Sequence, residues 1–151
     1  MNIVSLLSER RVIPEMSAGT RDEVLDEMVS HLVAAGDLSE SSHGAVVEAL
    51  AAREERVSTG IGHGVAIPHC YSDSLNDPVA LFGRSRSGID FNACDNAVVH
   101  FVILLVVPET NQVFVPVDLL WIWIRNTKSY LGRNRVSRRG LSSIGICFKP
   151  N

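Results

Sequence analysis

The sequence predicts an α/β layer fold, and three observations carry that prediction. Two segments, Val24 to Val33 and Val46 to Ala51, repeat apolar residues at helical spacing. The stretch Val98 to Val107 is continuously apolar and stops at Pro108; it has the length of a buried strand and falls short of the roughly 20 residues a membrane helix needs. Short β-rich segments bounded by glycine or proline lie around these, and helices alternating with strands make layered α/β architectures.

In chain order, residues 2–7 read as a short helical turn, followed by an extended Val12-Ile13 that ends at Pro14. Thr20-x-x-Glu23 is a capping box that opens the first helix: the hydroxyl accepts from an early amide and the carboxylate reaches back to the cap amide. Val24, Leu25, Met28, Val29, Leu32 and Val33 form its apolar face, and Gly36 is a C-terminal stop. His31, near the helix end, reads as a surface or dipole-facing histidine. A second helix runs from Ser41 or Ser42 to Arg53 or Glu55, with Val46, Val47, Leu50 and Ala51 as its stripe and His43 facing solvent in its first turn. Glu54 and Glu55 read as a solvated helix end.

Ser58 to Gly64 is a glycine-spaced turn. Val65-Ala66-Ile67 is a short strand closed by Pro68, and Tyr71 to Asp77 is a polar turn. Val79 to Phe82 is a strand, Gly83 to Gly88 a loop with Arg84 and Arg86, and Asn92 to Asn96 a turn before the apolar strand. His100, at the start of that strand, reads as a satisfied core or edge histidine.

Composition bounds the function. At 151 residues, 46% hydrophobic and 21% charged, the chain suits one soluble domain with a real core. Its first residues show no export signal, and Cys70, Cys94 and Cys147 show no close pairing, which suits free thiols in the cytoplasm. The net charge of -3 conceals an asymmetry. Residues 1–110 hold seven Arg, no Lys and sixteen Asp or Glu, a balance of -9. Residues 111–151 hold five Arg, two Lys and one Asp, a balance of +6, together with both tryptophans.

The chemistry concentrates between Arg53 and His69. Glycines at 60, 62 and 64 permit positive φ and close backbone approach, so the turn can aim several amides into one anion-binding nest, with the Ser58 and Thr59 hydroxyls beside it. The spacing matches neither a dinucleotide fingerprint nor a nucleotide P-loop. His69 has three candidate roles. As a metal ligand it would pair with His63, but that spacing resembles no zinc pattern and no cysteine or carboxylate cluster supports it. As a structural histidine it needs one backbone partner. As a nucleophile, its neutral imidazole attacks a phosphoryl group near neutral pH, and Arg53, the hydroxyls and the glycine amides compensate the charge.

The segment R-E-x-x-x-S-T-G-I-G-x-G-x-A-I-P-H, carried here by Arg53, Glu54, Ser58, Thr59, Gly60, Ile61, Gly62, Gly64, Ala66, Ile67, Pro68 and His69, resembles the signature of the fructose/mannitol/nitrogen-regulatory (type 2) enzyme IIA of the bacterial phosphoenolpyruvate-dependent phosphotransferase system. Asp90-Phe91, Asp95-Asn96 and the Val98 to Pro108 run resemble its second block, so the resemblance covers roughly residues 1–110. It implies a mixed β-sheet flanked by helices and a phosphocarrier whose His69 accepts phosphate from the small carrier protein HPr or its nitrogen-branch relative. Arg53 would sit beside the phosphohistidine, with Ser58, Thr59, Gly60, Gly62 and Gly64 as its surroundings. No metal and no soluble organic cofactor is implied. Onward partners would be a sugar-specific IIB component or regulatory target proteins. The chain carries no IIB, IIC or DNA-binding module, which favours a free-standing regulatory protein; no membrane insertion is expected.

The family continues after its Pro108 equivalent with an amphipathic helix opened by a second histidine, and then a final helix. Here residues 113–151 contain no histidine, Pro116 breaks a helix early, and Trp121 and Trp123 alternate as in a strand. The charge reversal, the lost helical period and the missing histidine coincide near Val113, which suggests a shifted reading frame from there. The expectation is therefore an incomplete IIA domain over 1–112 and an aberrant or divergent tail over 113–151, with the C-terminal helices altered or missing. Two alternatives stand beside the phosphocarrier: an inactive fragment with an intact motif, and a regulatory binding protein whose tail, with Arg133, Arg135, Arg138 and Arg139, contacts nucleic acid or an acidic protein. No folded recognition module frames those arginines, which weighs against nucleic acid. His63 is not expected to neighbour His69.

Overall fold

The computed structural model describes Leu6 and residues 8–109. The helical turn expected at 2–7 lies almost wholly outside the described residues, as do the tail from Val113, its tryptophans and its arginines. A 3-10 turn, Glu9–Arg11, leads into strand β1, Val12–Ile13. Helix α1 spans Arg21–Ala34 and helix α2 His43–Arg56, the latter preceded by a 3-10 turn at Glu40–Ser42. Strands β2, Gly60–Gly62, and β3, Val65–Ala66, form a tight hairpin; β4, His69–Ser72, β5, Val79–Ile89, and β6, Val99–Pro108, complete the sheet.

Local chemistry explains the helix ends. The Thr20 hydroxyl accepts the Glu23 amide at 3.4 Å and the Glu23 carboxylate accepts the Thr20 amide at 3.0 Å, so the capping box is present in both directions. Gly36, at φ 77°, closes α1 in a Schellman motif: the Gly36 amide donates to Val33 and the Asp37 amide to Leu32. Asp37 then meets Arg11 at 2.6 Å, tying the helix exit to the turn before β1. His31 is committed within the fold: its Nε2–H donates to the Arg10 carbonyl at 2.7 Å. His43 bonds the Ser30 hydroxyl at 2.9 Å and approaches Asp26, so it bridges the helices rather than facing solvent.

The sheet is mixed, in the order β1-β5-β6-β3-β2, with β4 also paired to β6. β5 and β6 are antiparallel, whereas β3 and β4 run parallel to β6 in succession, Val65 opposite Phe101 and His69 opposite Leu105. Val24, Leu25, Met28, Val29 and Leu32 of α1, with Val46 and Leu50 of α2, share one core with Leu81, Val102, Leu104 and Val106 of the sheet. Among the described residues no helix is long and apolar enough to cross a membrane.

Two loop readings need correction. β5 continues through the stretch read as a Gly83–Gly88 loop, bending at an irregularity between Arg84 and Ile89 where Gly88 takes φ 79°; a bulge lets a glycine-containing segment stay in a sheet. Gly83 gives room to Met16: a Cβ there would lie 2.5 Å from the Met16 sulfur, and that side chain would have to shift. The polar turn expected from Tyr71 also begins later. β4 holds His69 to Ser72 because β6 offers a parallel partner to their backbone, and hydrogen bonding outweighs their polar character.

Candidate functional site

His69 is the first residue of β4, directly after Pro68, whose carbonyl accepts the Leu105 amide at 3.0 Å. This pairing anchors the backbone on both sides of the ring. Strand alternation sends Cys70 into the helix-side core and leaves His69 half-buried on the other face. The His69 Nδ1 lies 3.0 Å from the Ile67 carbonyl. A carbonyl only accepts, so Nδ1 carries the proton and Nε2 keeps its lone pair. That lone pair accepts from Arg53 Nε at 3.3 Å.

Arg53 comes from the last turn of α2. Its Nη1 donates to the Val57 carbonyl at 2.9 Å, at the end of the same helix, so the guanidinium is held at both edges. Burial lowers the affinity of His69 for a second proton; the bond to Ile67 works the other way, and Arg53 adds to the lowering. The ring is therefore neutral near neutral pH and its Nε2 lone pair is oriented, the state a nucleophilic imidazole requires. Cys70, next in the chain, is no rival: burial pushes its thiol up to about 12, so no thiolate forms at neutral pH.

The structure divides the glycine-turn residues into two groups. Ser58, Thr59 and Gly60 lie at the near end of the hairpin, where the Thr59 carbonyl accepts the Ile67 amide and Gly60 pairs with Ala66. Gly62, His63 and Gly64 form its far end, at φ 85°, 55° and 75°. There the Gly64 carbonyl accepts the His100 amide and the His63 amide donates to Asp95. Gly64 stands at the His100 level of β6 and His69 at the Leu105 level, a difference of about 16 Å along the strand at 3.3 Å per residue. The expected nest of Gly62 and Gly64 amides therefore does not face His69; those glycines serve the hairpin, whose left-handed backbone they permit. His63 likewise sits at the far end, away from His69. Gly60 serves close packing, because a Cβ there would meet the Ala93 Cβ at 2.8 Å.

Ser58 is also committed within the fold. Its hydroxyl donates to the Phe91 carbonyl and accepts the Gly60 amide at 3.0 Å, which pins the hairpin to the loop before β6. Thr59 differs: its hydroxyl is buried and has no partner among the described residues.

Glu54 is the residue that sequence reasoning misplaced. It is 2% exposed, and its Oε1 accepts the Thr59 amide at 2.8 Å. The signal was in the helical period: Val46 and Leu50 are both buried, and four residues further along the same stripe comes Glu54. Among the described residues, no cluster of three or more His, Cys, Asp or Glu is arranged to hold a metal ion.

The model of the family described as phosphoenolpyruvate-dependent sugar phosphotransferase system, EIIA 2, matches residues 5–128. The chain is 37% identical over 109 residues to the PTS system fructose-specific EIIABC component of Bacillus subtilis, covering 72% of this chain but only 17% of that protein's length. It is 34% identical over 109 residues to the nitrogen regulatory protein of Pseudomonas aeruginosa, covering 72% of this chain and 70% of that one. Among solved structures, nitrogen regulatory protein IIA-Ntr from Neisseria meningitidis matches with a TM-score of 0.66 at 26% identity, over 94% of this chain and 97% of that chain. Enzyme IIA in the Escherichia coli complex of mannitol enzymes IIA and phosphorylated IIB reaches a TM-score of 0.66 at 17% identity, over 91% and 96% of the two chains, a likeness of fold.

Proposed function

Since the chain belongs to the EIIA 2 family of the phosphoenolpyruvate-dependent sugar phosphotransferase system, we propose that it is a phosphocarrier whose His69 Nε2 accepts the phosphoryl group of a phosphohistidine donor, HPr or its nitrogen-branch relative, and later releases it. The observation that carries this reading is the pair of contacts on one ring: Nδ1–H donates to Ile67, and the Nε2 lone pair faces Arg53.

Transfer then follows from the geometry. Nε2 attacks phosphorus in line with the donor's P–N bond; the new Nε2–P bond forms as the old bond breaks, and the donor nitrogen takes back its electron pair. The Nδ1 proton stays on the ring, held by the Ile67 carbonyl. The incoming phosphorus displaces Arg53 Nε–H from the Nε2 lone pair, and the guanidinium, still tied to the Val57 carbonyl, turns its donors onto the phosphoryl oxygens. Half-burial of His69 excludes bulk water while leaving a path for a docked protein. Onward transfer is the same step reversed, to a IIB component in a transport role. In a regulatory role the phosphoryl group persists and changes which target protein binds. Both classes occur among the relatives, fructose-specific and nitrogen-regulatory. The reading places the protein in the cytoplasm, where the donor is.

The test is phosphoryl transfer from phosphorylated HPr, followed by intact mass, with His69→Ala beside the wild type. One phosphoryl group on the wild type and none on the variant is expected. A folded wild type that takes no label, or a variant that takes it equally, overturns the assignment.

A further inference from the structure

We propose that Glu54 is a positioning residue for His69, its buried carboxylate holding the positive charge that the imidazole ring acquires when Nε2 is phosphorylated while Nδ1 keeps its proton. The proposal rests on the phosphocarrier reading above.

Three observations carry it. First, Glu54 is the one charged side chain among the described residues that is fully buried, and only half of its carboxylate is satisfied. Oε1 accepts the Thr59 amide, while Oε2 has no partner, and neither has the Thr59 hydroxyl. Burying a carboxylate in this incomplete way opposes folding, and a residue kept at such a position is a candidate for function. Second, the location is specific. Glu54 follows Arg53 on the last turn of α2, and successive helical residues project about 100° apart. Arg53 reaches His69 Nε2 from the exposed side, while Glu54 enters the core and fixes Thr59, whose carbonyl holds the Ile67 amide. The Ile67 carbonyl in turn accepts from His69 Nδ1. One chain of hydrogen bonds thus runs from Glu54 to the proton on the ring. Third, the Glu54 charge draws the His69 ring toward protonation, opposing burial and Arg53. Among the described residues these two are the charged groups that act on the ring; β6 presents Leu105 opposite His69 and Val106 beside it, both apolar.

The division of labour follows from the product. Transfer to Nε2 leaves a dianionic phosphoryl group on a cationic ring. Arg53 meets the oxygens, and Glu54 acts on the ring through space and through the Thr59 and Ile67 backbone. A ring kept cationic is also the better leaving group, so the same carboxylate keeps the phosphoryl group transferable to the next protein.

Glu54→Gln tests this, because glutamine retains an acceptor for the Thr59 amide and loses only the charge. Two readouts are taken on the full chain: the titration of the His69 ring by nitrogen NMR, with and without the phosphoryl group, and the equilibrium distribution of phosphate between HPr and the chain. The expected result is a ring that releases its proton at lower pH, and a phosphoryl equilibrium shifted severalfold toward HPr. A folded variant with both readouts unchanged would make Glu54 a cap on Thr59 and nothing more. A shifted titration with an unmoved equilibrium would equally overturn the proposal. Should Glu54→Gln not fold, Glu54→Asp carries the test: it keeps the charge, so the ring must titrate close to wild type, and a fall of a full unit refutes the assignment. If His69 of the wild type takes no phosphoryl group, the phosphocarrier reading fails on its own, while the titration of the unmodified ring still reports on Glu54.

Discussion

Replacing Arg53 by glutamine should slow phosphoryl transfer to His69 while making the ring easier to protonate. The two effects have one origin. The guanidinium donates to Nε2 at 3.3 Å and is steadied by the Val57 carbonyl at 2.9 Å. A hydrogen bond from a charged donor contributes about 1.5–3 kcal/mol, which converts to roughly 10- to 150-fold in rate. Arg53 is half-buried, so solvent screens part of its charge and the lower end of that range applies, about tenfold. The same positive charge lowers the proton affinity of His69, so its removal should raise the midpoint of the ring titration. Rapid-quench transfer from phosphorylated HPr gives the rate, and NMR of the ring gives the midpoint. Arg53→Lys should recover the charge without the fork that spans Nε2 and Val57, and should fall between the two. A folded Arg53→Gln protein that transfers within twofold of wild type would refute the role given to this residue. A slowed rate with a lowered midpoint would refute the electrostatic account.

Four further outcomes are expected. Burial holds the His69 ring below the usual 6.5, so the transfer rate should stay level from pH 8 down past 6.5 and reach half its plateau only below that value; a half-point at or above 6.5 would contradict the structure. The sign for stability matches: a histidine with a depressed folded value contributes stability that is present above 6.5 and is lost as pH falls through the folded value, so wild type and His69→Gln should diverge in urea melts only on the acid side. Gly60→Ala places a Cβ 2.8 Å from that of Ala93 and should cost about 1–3 kcal/mol in chemical denaturation, with slower transfer because the near end of the hairpin moves. Thr20→Ala removes one half of the capping box and should cost about 1 kcal/mol while leaving the transfer rate of the folded protein unchanged, since α1 brings no residue to His69.

What could be read in advance divides along a physical line. Features stabilised within a few residues were legible. The Thr20-Glu23 box, the Gly36 stop and the end of β6 at Pro108 depend on hydrogen bonds and dihedrals that the local residues determine by themselves. The motif from Arg53 to His69 was legible as well, because its residue types and spacing are unusual enough to point to one family. The register of β3 and β4 on β6 was not, since it is a contact between segments far apart in sequence. It is this register that moves Gly62 and Gly64 away from His69 and leaves the near end of the hairpin beside it. The protonation pattern of the ring was hidden for the same reason, because it depends on where the Ile67 carbonyl comes to rest. The sequence by itself determined two helices, the first with its capping box, an apolar central strand and the family motif around His69. Only the tertiary structure decided that Ser58 is spent on Phe91, that Nε2 is the nitrogen with the lone pair, and that Glu54, written beside three other charged residues, turns into the core. Burial is a property of the assembled layers, and a helix end reads as solvated until the sheet it packs on is in place.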